Sequence, residues 1–289
     1  MKFPKRPIYK LRLPRNRQMV LGERTLIMGV LNVTPDSFSD GGRFFDKPKA
    51  IERAKEMIDE GVDIIDIGGE SARPFSDPIP LDEEMRRTIP VIEAVRSISE
   101  DIPISIDTTK AEVARAALNA GADIINDISA LRFDPDMVRV AADFGVPVVL
   151  MHMLGTPKTM QENPTYRSLI SEIISFLQQR IEVAVEGGID FEQLVVDPGI
   201  GFGKTLEHNL RLIKDLDLFH SLERPLLLGA SRKRFIGAVL DLPVEEREVG
   251  TAAVNVCGVL AGAHILRVHD VGFHRQAAMM ADAVFNVRS

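Results

Sequence analysis

The chain has 289 residues, with 35 lysines and arginines against 42 aspartates and glutamates, which gives a formal net charge of −7. Hydrophobic residues at 45% and charged residues at 27% are typical of a folded globular protein and exclude disordered and fibrous classes. The length suits two domains or one α/β barrel of roughly 250 residues. Cys257 is the only cysteine, which excludes an internal disulfide, a CxxC redox pair and a cysteine zinc cluster, and favours a cytoplasmic location.

The start of the chain differs in charge from the remainder. The first 17 residues carry seven basic side chains and no acid, which leaves a net charge of −14 for the rest. No apolar run follows them as a secretory signal requires, and the longest apolar stretch, 252–266, is too short to span a bilayer. We therefore expect residues 1–19 to form a basic leader strand or tail, and residues 20–289 to form one domain. We expect the acidic body to bind neither nucleic acid nor a membrane.

From residue 25 onward, short β-branched runs alternate with stretches in which apolar residues have helical spacing. Eight runs are predicted as strands: 25–31, 62–67, 102–106, 123–125, 146–150, 194–196, 225–228 and 264–268. Helices are predicted between them, among others at 50–60, 83–99, 111–119 and 169–186. The strand runs are continuously apolar, which is typical of parallel strands that are buried on both faces.

The order of these elements contains a fourfold repeat. Gly61, Gly121 and Gly262 open the second, fourth and eighth strands, where glycine suits the left-handed position that ends a helix. Proline lies near the start of the third, fifth and seventh strands instead. Eight strand–helix units with right-handed crossovers predict an α/β fold of the (β/α)8 TIM barrel type, with a doubly wound open sheet as the alternative.

In a TIM barrel, catalytic and binding groups gather where the strands end and lead into helices. Nearly all residues at those positions can bind a ligand or transfer a proton: Asn32, Asp66, Asp107, Asn126, His152, Asp197, Ser231, Lys233, Arg267 and His269. The acceptors Asp107, Asn126 and Asp197 suit a heterocycle with adjacent N–H donors, such as an aminopyrimidinone edge. A phosphorylated tail, with Mg²⁺ held by oxygen ligands, would suit a second set: Asn32, Arg73, Lys233, Arg267 and His269. One site would then hold a polar ring and an anionic leaving group, as in a transferase.

Several of these polar residues also have explanations that need no function. Asp66 would satisfy backbone donors near its strand end, and His152 would be an interior hydrogen-bonding residue. Asp36 would stabilise the turn beside Pro35.

The glycine-rich segment 199–205 invites interpretation as a phosphate-binding loop. The Walker pattern requires a glycine five residues before Gly203, where Pro198 stands. We therefore expect a flexible loop that opens the next helix.

Long segments at the strand ends resemble the signatures of the dihydropteroate synthase family. Segment 27–42, IMGVLNVTPDSFSDGG, resembles the first signature, and segment 61–74, which contains DIGGESARP, resembles the second. The match continues in the expected order through SIDT, IND, MHM, DPGIGFGK, SRK and RVHD, and extends from about residue 20 to the C-terminus. Ala72, where many relatives carry threonine, and Phe75, where glycine is usual, depart from the family pattern.

The resemblance implies a cytoplasmic enzyme of folate biosynthesis. It would join 6-hydroxymethyl-7,8-dihydropterin diphosphate to 4-aminobenzoate, with release of pyrophosphate and 7,8-dihydropteroate. The implied mechanism is an SN1-like loss of diphosphate, assisted by Mg²⁺, that leaves a pterin cation for the arylamine to attack. A homodimer is implied as well.

The resemblance also implies roles for individual residues. The pterin would be held by Asp107, Asn126, Asp197 and Lys233, and the diphosphate and its Mg²⁺ by Asn32, Arg267 and His269. The aminobenzoate pocket and other substrate contacts would involve Met151, Phe202 and Ser231. The loops that close over the reaction would carry Phe38, Asp40, Arg73 and Pro74. The implied catalytic residues are Asp40, Arg73, Asp107, Asp197 and Lys233.

Two alternative functions stand beside this one. A methyltetrahydrofolate–corrinoid methyltransferase shares the barrel and the pterin carboxylates, but has no use for the SRK and RVHD segments. A non-catalytic pterin-binding relative would have lost its diphosphate and loop residues, whereas Asn32, Asp40, Arg73 and His269 are present.

Two segments, 34–45 and 71–80, are rich in Gly, Pro, Ser and Asp and have few apolar anchors. We therefore expect them to be mobile without ligand. The resemblance implies that diphosphate binding and departure organise them into the aminobenzoate pocket.

Overall fold

A computed structural model describes residues 3–34, 47–71, 73 and 76–287. Asp36, Phe38, Asp40, Ala72, Pro74 and Phe75 lie outside these residues. In chain order the strands are β1 Tyr9–Leu13, β2 Arg17–Leu21, β3 Leu26–Asn32, β4 Ile64–Gly68, β5 Ile104–Asp107, β6 Ile124–Asp127, β7 Val148–Met151, β8 Leu194–Asp197, β9 Leu227–Leu228 and β10 Ile265–Val268.

The strands from β3 to β10 form one parallel sheet in the order β8-β7-β6-β5-β4-β3-β10-β9. A parallel bridge between Val196 and Leu226 joins the two ends of that order, so the sheet closes on itself. The eight predicted strands are confirmed, and most end one or two residues later than predicted. The apolar pattern stops at the polar residue, whereas backbone pairing continues through it, as between Asp107 and Asn126.

The helices lie outside the sheet and connect its strands. They are α1 Lys47–Asp59, α2 Leu81–Ile98, α3 Ala111–Asn119, α4 Met137–Phe144, α5 Leu169–Glu186, α6 Leu206–Lys214, α7 Arg234–Leu240, α8 Glu248–Leu260 and α9 Val271–Phe285. The predicted helices at 111–119 and 169–186 have the predicted bounds, and the two before them begin two or three residues earlier than predicted. Together with the closed sheet, this confirms the (β/α)8 barrel over the doubly wound alternative.

Residues 9–21 form an antiparallel hairpin, β1 and β2, with Tyr9 opposite Leu21 and Leu13 opposite Arg17. One face of the hairpin is apolar and buried against residues that line the inside of the barrel at the N-terminal ends of its strands. The hairpin residues of this cluster are Leu11, Leu13, Met19 and Leu21, and the barrel residues include Met28, Ile64, Ile124, Val149, Val195 and Ile265. The hairpin thus closes the end of the barrel opposite to the strand ends on which the candidate site lies.

Arginines of the N-terminal segment pair with carboxylates at this closed end. Arg6 donates to Asp282 Oδ1 at 2.7 Å, and its guanidinium is almost fully buried. Arg15 and Arg17 both pair with the buried Asp123. The charge asymmetry of the sequence therefore has a structural use, because these cations neutralise acids at the base of the barrel.

Within the part of the chain that the structure describes, no helix is both long and apolar enough to cross a membrane.

Candidate active site

Four polar residues from four different strands meet at the C-terminal mouth of the barrel. Arg267, on β10, donates from Nε to Asp66 Oδ2 at 2.7 Å and from Nη2 to Asp107 Oδ2 at 2.6 Å. Asn126 Nδ2 donates to the same Asp66 oxygen at 3.1 Å. Since β3 separates β10 from β4, and β3 and β4 separate it from β5, Arg267 reaches past one strand to Asp66 and past two to Asp107.

Asp66 is fully buried, and its side chain takes part in this cluster. Its hydrogen bonds come from the side chains of Arg267 and Asn126, so the interpretation that it satisfies backbone donors is wrong. Among the residues that the structure describes, Asp66 Oδ1 has no hydrogen-bond partner. In the sequence, Asp66 is a carboxylate inside an otherwise apolar strand. A carboxylate is costly to bury without a hydrogen-bonding partner, so this position indicates that Asp66 has one.

Within the cluster, the pKa values of Asp107 and Arg267 are shifted. Burial raises the pKa of Asp107 to about 7, while Arg267 opposes that rise and the neighbouring Asp66 adds to it. For Arg267, burial alone would lower the pKa, but the charges of Asp66 and Asp107 hold it above its ordinary value. Asp107 can therefore gain or lose a proton near neutral pH while Arg267 stays charged.

A second group of the site lies on β8 and after β9. Asp197 is buried and accepts from Gly199 N at 2.7 Å; burial raises its pKa, against the lowering effect of Lys233. Burial lowers the pKa of Lys233 to about 8, and Asp197 opposes the fall. The Lys233 ammonium donates to the carbonyl of Ile200 and lies 4.5 Å from the ring centre of Phe202.

Ser231 and His269 form a third group beside the first two. Ser231 Oγ accepts from His269 N at 3.3 Å and lies within hydrogen-bond distance, 2.9 Å, of His269 Nδ1. Burial, together with the charges of Arg267, Arg232, Lys233 and Arg73, lowers the pKa of His269 to about 3. A neutral imidazole among cations is suited to binding an anion, whose charge would offset theirs.

Two further predicted residues lie at the same mouth. Asn32 ends β3 and pairs in the sheet with Gly68. Met151 ends β7, pairs with Asp197 and packs in a small apolar cluster with Met153, Met160 and Phe202. The described members of the predicted set thus lie on strand ends or the loops after them. Phe38, Asp40 and Pro74 remain outside the described residues.

The glycine-rich segment opens a helix, as predicted. Thr205 is the N-cap of α6 and accepts from His208 N at 3.2 Å. The segment is tied to its surroundings, since Gly201 N donates to Asn209 Oδ1 at 2.7 Å and Gln161 donates to Gly201 O at 2.7 Å. His152 is buried, as the interpretation of an interior residue expects.

Comparison with known proteins identifies the class to which this fold and site belong. The family model described as pterin binding enzyme matches residues 28–269. Since this is most of the chain, the chain belongs to the pterin-binding enzyme family.

The similar proteins within this family are dihydropteroate synthases. Dihydropteroate synthase of Synechocystis sp. is 50% identical over 265 residues, with 91% of each chain covered, and that of Bacillus subtilis is 50% identical over 264 residues, with 91% of this chain and 90% of the relative covered. The Yersinia pestis dihydropteroate synthase in a sulfonamide drug complex superposes with a TM-score of 0.90 at 42% identity, covering 96% of this chain and all of the other. The Xanthomonas albilineans dihydropteroate synthase with 4-aminobenzoic acid also has a TM-score of 0.90, at 41% identity, covering 98% and 100%. The resemblance to the dihydropteroate synthases of folate biosynthesis is confirmed, in preference to the corrinoid methyltransferases and non-catalytic relatives.

Proposed function

We propose that the chain is a transferase that moves the dihydropterin methylene group from its diphosphate to the amine of 4-aminobenzoate. The observation that carries the proposal is the convergence, at one barrel mouth, of the acceptors Asp107, Asn126 and Asp197 with the cation-lined Ser231–His269 pair. A solved relative from Xanthomonas albilineans, 41% identical with a TM-score of 0.84, holds 7,8-dihydropteroate, the product of this reaction.

The acceptor side of the site would bind the pterin ring. Asp107 and Asp197 offer carboxylate oxygens to the ring N–H donors, and Asn126 can both donate and accept. Lys233, whose ammonium is near Asp197, would donate to a ring carbonyl or nitrogen. Burial strengthens each of these contacts, because little water competes for the same groups.

The cationic side would bind the diphosphate through Asn32, Arg267 and His269, with Arg73 near the entrance. His269 would donate from a ring N–H to a phosphate oxygen, and the charge of Arg267 persists at any physiological pH.

Asn32 would also hold Mg²⁺. Within the described ranges, no three His, Cys, Asp or Glu side chains are grouped as ligands for a metal ion. One amide oxygen at a strand end nevertheless fits Mg²⁺ that arrives with the diphosphate, since this ion keeps several waters and is usually bound by one or two protein groups together with substrate phosphates. Bound there, Mg²⁺ would neutralise charge on the departing diphosphate.

The reaction follows from these contacts without a strong base or nucleophile. The bond between the pterin methylene carbon and the diphosphate oxygen breaks, and its electron pair leaves with the diphosphate. The methylene cation is conjugated with the ring, so Asp107 and Asp197 stabilise it by their negative charge. The aminobenzoate nitrogen then forms the new bond and releases a proton to solvent.

The aminobenzoate would lie against Phe202 and Ser231, with Met151 packing beneath the pterin side of the pocket. Phe38, Asp40, Arg73 and Pro74 would complete the closed site; of these, only Arg73 is within the described residues. Asp40 and Arg73 stay predictions from the resemblance as catalytic residues.

We also propose that the protein is a cytoplasmic homodimer. The single cysteine supports a reducing compartment. Large apolar side chains are exposed on the adjacent helices α8 and α9: Val249, Met279, Met280 and Val284. Light scattering of the wild type and of Met280→Glu tests the dimer, which the introduced charge should weaken.

The activity is tested by pyrophosphate release from the pterin diphosphate with and without 4-aminobenzoate, in the presence of Mg²⁺. The synthase releases pyrophosphate together with dihydropteroate, whereas a corrinoid methyltransferase or a binding protein releases none.

A further inference from the structure

Lys204, in the loop between β8 and α6, is buried with only 3% of its surface exposed. Its ammonium donates to His152 Nδ1 at 2.9 Å, to the Phe202 carbonyl at 2.9 Å and to the His152 carbonyl at 3.4 Å. All three ammonium protons have acceptors, and all three acceptors are neutral. Burial lowers the pKa of Lys204 well below its ordinary value, and the charge of Asp197 opposes the fall without a hydrogen bond to Nζ among the described residues. A lysine buried on neutral acceptors is costly, so its retention needs a reason.

His152, the main partner, is fixed in place from several sides. Its backbone N–H donates to the Asp197 carbonyl at 2.9 Å, and its ring packs edge-on against Phe176 at 4.8 Å. Burial and the charge of Lys204 lower the pKa of His152 to about 2, so the imidazole is neutral and Nδ1 accepts. Lys204 is therefore held by His152, the residue that directly follows β7 and is itself fixed by these contacts.

The loop from Gly199 to Lys204 packs closely against residues 152–154, which follow β7. Gly199 has φ +70°, and a Cβ there would lie 1.9 Å from the His152 carbonyl oxygen. Gly203 has φ +69°, and a Cβ there would lie 2.5 Å from Leu154 Cβ. Tyr166 Oη donates to the Gly203 carbonyl at 2.8 Å. Glycine is required at both positions because a side chain would push the loop away from residues 152–154.

Phe202 lies between the two anchored ends of this loop. Its carbonyl is held by Lys204, and its ring faces the Lys233 ammonium at 4.5 Å. The Ile200 carbonyl accepts from Lys233, and the Gly201 carbonyl accepts from Gln161. Neither of these hydrogen bonds involves Lys204. Loss of the Lys204 contacts would therefore release Phe202 first and leave the pterin-side contacts in place.

We propose that Lys204, through His152, is a positioning residue that fixes Phe202 and so sets how the arylamine substrate fits the site. This proposal rests on the proposed function, in which Phe202 lines the aminobenzoate pocket. Lys204 itself touches neither substrate, so its removal acts on one substrate through the backbone of the loop.

The test compares steady-state kinetics of Lys204→Met with those of the wild type for both substrates. Loss of hydrogen bonds from a charged donor should raise the KM for 4-aminobenzoate about tenfold or more. The KM for the pterin diphosphate and kcat should change by less than about threefold, since the pterin contacts remain. Arg6→Met is the matched control, because it removes a buried cation at the closed end of the barrel; it should lower Tm and leave both KM values unchanged.

A double-mutant cycle with Phe202→Leu separates positioning from general stability. If Lys204 acts through Phe202, Lys204→Met raises the aminobenzoate KM less in the Phe202→Leu background than in the wild type, whereas additive effects overturn the proposal. Equal increases in both KM values, or a result like that of Arg6→Met, overturn it as well. Should Lys204→Met not fold, Tyr166→Phe, which removes only the bond to Gly203, must give a smaller increase confined to the aminobenzoate KM. A wild type without pyrophosphate release would overturn the proposed function itself, and this proposal with it.

Discussion

Arg267 lies between two carboxylates on different strands, Asp66 and Asp107, and donates a hydrogen bond to each. The buried Asp66 accepts hydrogen bonds from both Arg267 and Asn126 on its Oδ2. Asp107 accepts from Arg267 on its Oδ2, and its side chain is partly exposed at the mouth of the barrel. Asp107 is therefore the member of the cluster that a ligand can reach, and Asp66 is the member that holds Arg267 in place.

Replacing Asp107 or Asp197 with asparagine is expected to weaken pterin binding and leave the fold intact. Each carboxylate that accepts ring N–H donors contributes roughly 1.5–3 kcal/mol, or about 10–150-fold in affinity. Calorimetric titration with the pterin diphosphate measures the loss, and circular dichroism checks the fold. Wild-type affinity in both variants would mean that the ring binds elsewhere.

Pterin affinity is also expected to depend on pH. The pKa of Asp107 is raised to about 7 in the free protein, and only the ionised carboxylate can accept two N–H donors. Affinity should thus be nearly constant well above that pKa and fall by up to about tenfold per pH unit below it, because binding must then remove a proton. Titrations between about pH 6 and about pH 8 measure the slope, which should become shallower in Asp107→Asn. A slope that is the same in both proteins would assign the titration to another group.

The cationic side of the site is expected to act on the diphosphate rather than on the ring. His269→Ala and Asn32→Ala should reduce Mg²⁺-dependent turnover by about tenfold or more, as expected for the loss of a charge-assisted contact. Binding of a pterin that lacks the diphosphate should change much less. The two measurements, side by side, test the division of the site into two halves; equal loss in both would contradict it.

At the scale of elements, the hairpin of β1 and β2 contributes to the barrel core from outside the repeating units. Leu11 is fully buried against the inner face of the barrel, and Arg6 ties the preceding segment to Asp282 on α9. The hairpin is thus part of the packed structure, whereas sequence alone predicted a leader strand or tail.

Leu11→Ala is expected to destabilise the whole domain. Truncation of a fully buried leucine costs about 2–5 kcal/mol in the free energy of unfolding, because it leaves a cavity. Leu210→Ala, at a leucine that is 45% exposed on α6, is the matched control and should change it by less than about 0.5 kcal/mol. Urea unfolding measures both. A Leu11→Ala protein as stable as its control would show that the hairpin packs only loosely.

At the scale of the whole molecule, we expect segments 34–45 and 71–80 to complete the site. Residues 35–45 lie outside the described residues. The base of the second segment is held, since Ile79 N donates to Glu70 Oε2 at 2.9 Å and Glu70 binds Lys110 at 2.6 Å. A segment fixed at its base can order its tip around a ligand without changing the barrel.

We therefore expect 4-aminobenzoate, and the sulfonamides that mimic it, to bind tightly only when pterin, pyrophosphate and Mg²⁺ are already present. Sulfonamide titration of the enzyme alone and with these three ligands measures the difference. At least a tenfold tighter Kd in the ternary mixture is expected, about 1.4 kcal/mol of coupling between the sites. The same Kd in both conditions would mean that the pocket is preformed.

The sequence by itself determined the barrel and supplied the candidate site residues. Continuous apolar runs, glycines after helices and polar residues near most strand ends are local patterns, so eight strands could be predicted without tertiary information, although most of them end one or two residues later than the apolar pattern does. The motifs at Asn32, Asp107, Asp197 and Arg267 are equally local, and they identified the family.

Only the tertiary structure decided which polar residues touch. Arg267 and Asp66 are 201 residues apart in the chain, and no local pattern states that one donates to the other. The burial of Lys204 against His152 and the docking of the hairpin were hidden for the same reason: each depends on two distant segments that meet only when the barrel closes. The shifted pKa values of Asp107 and Lys233 follow from burial, which a sequence does not specify residue by residue.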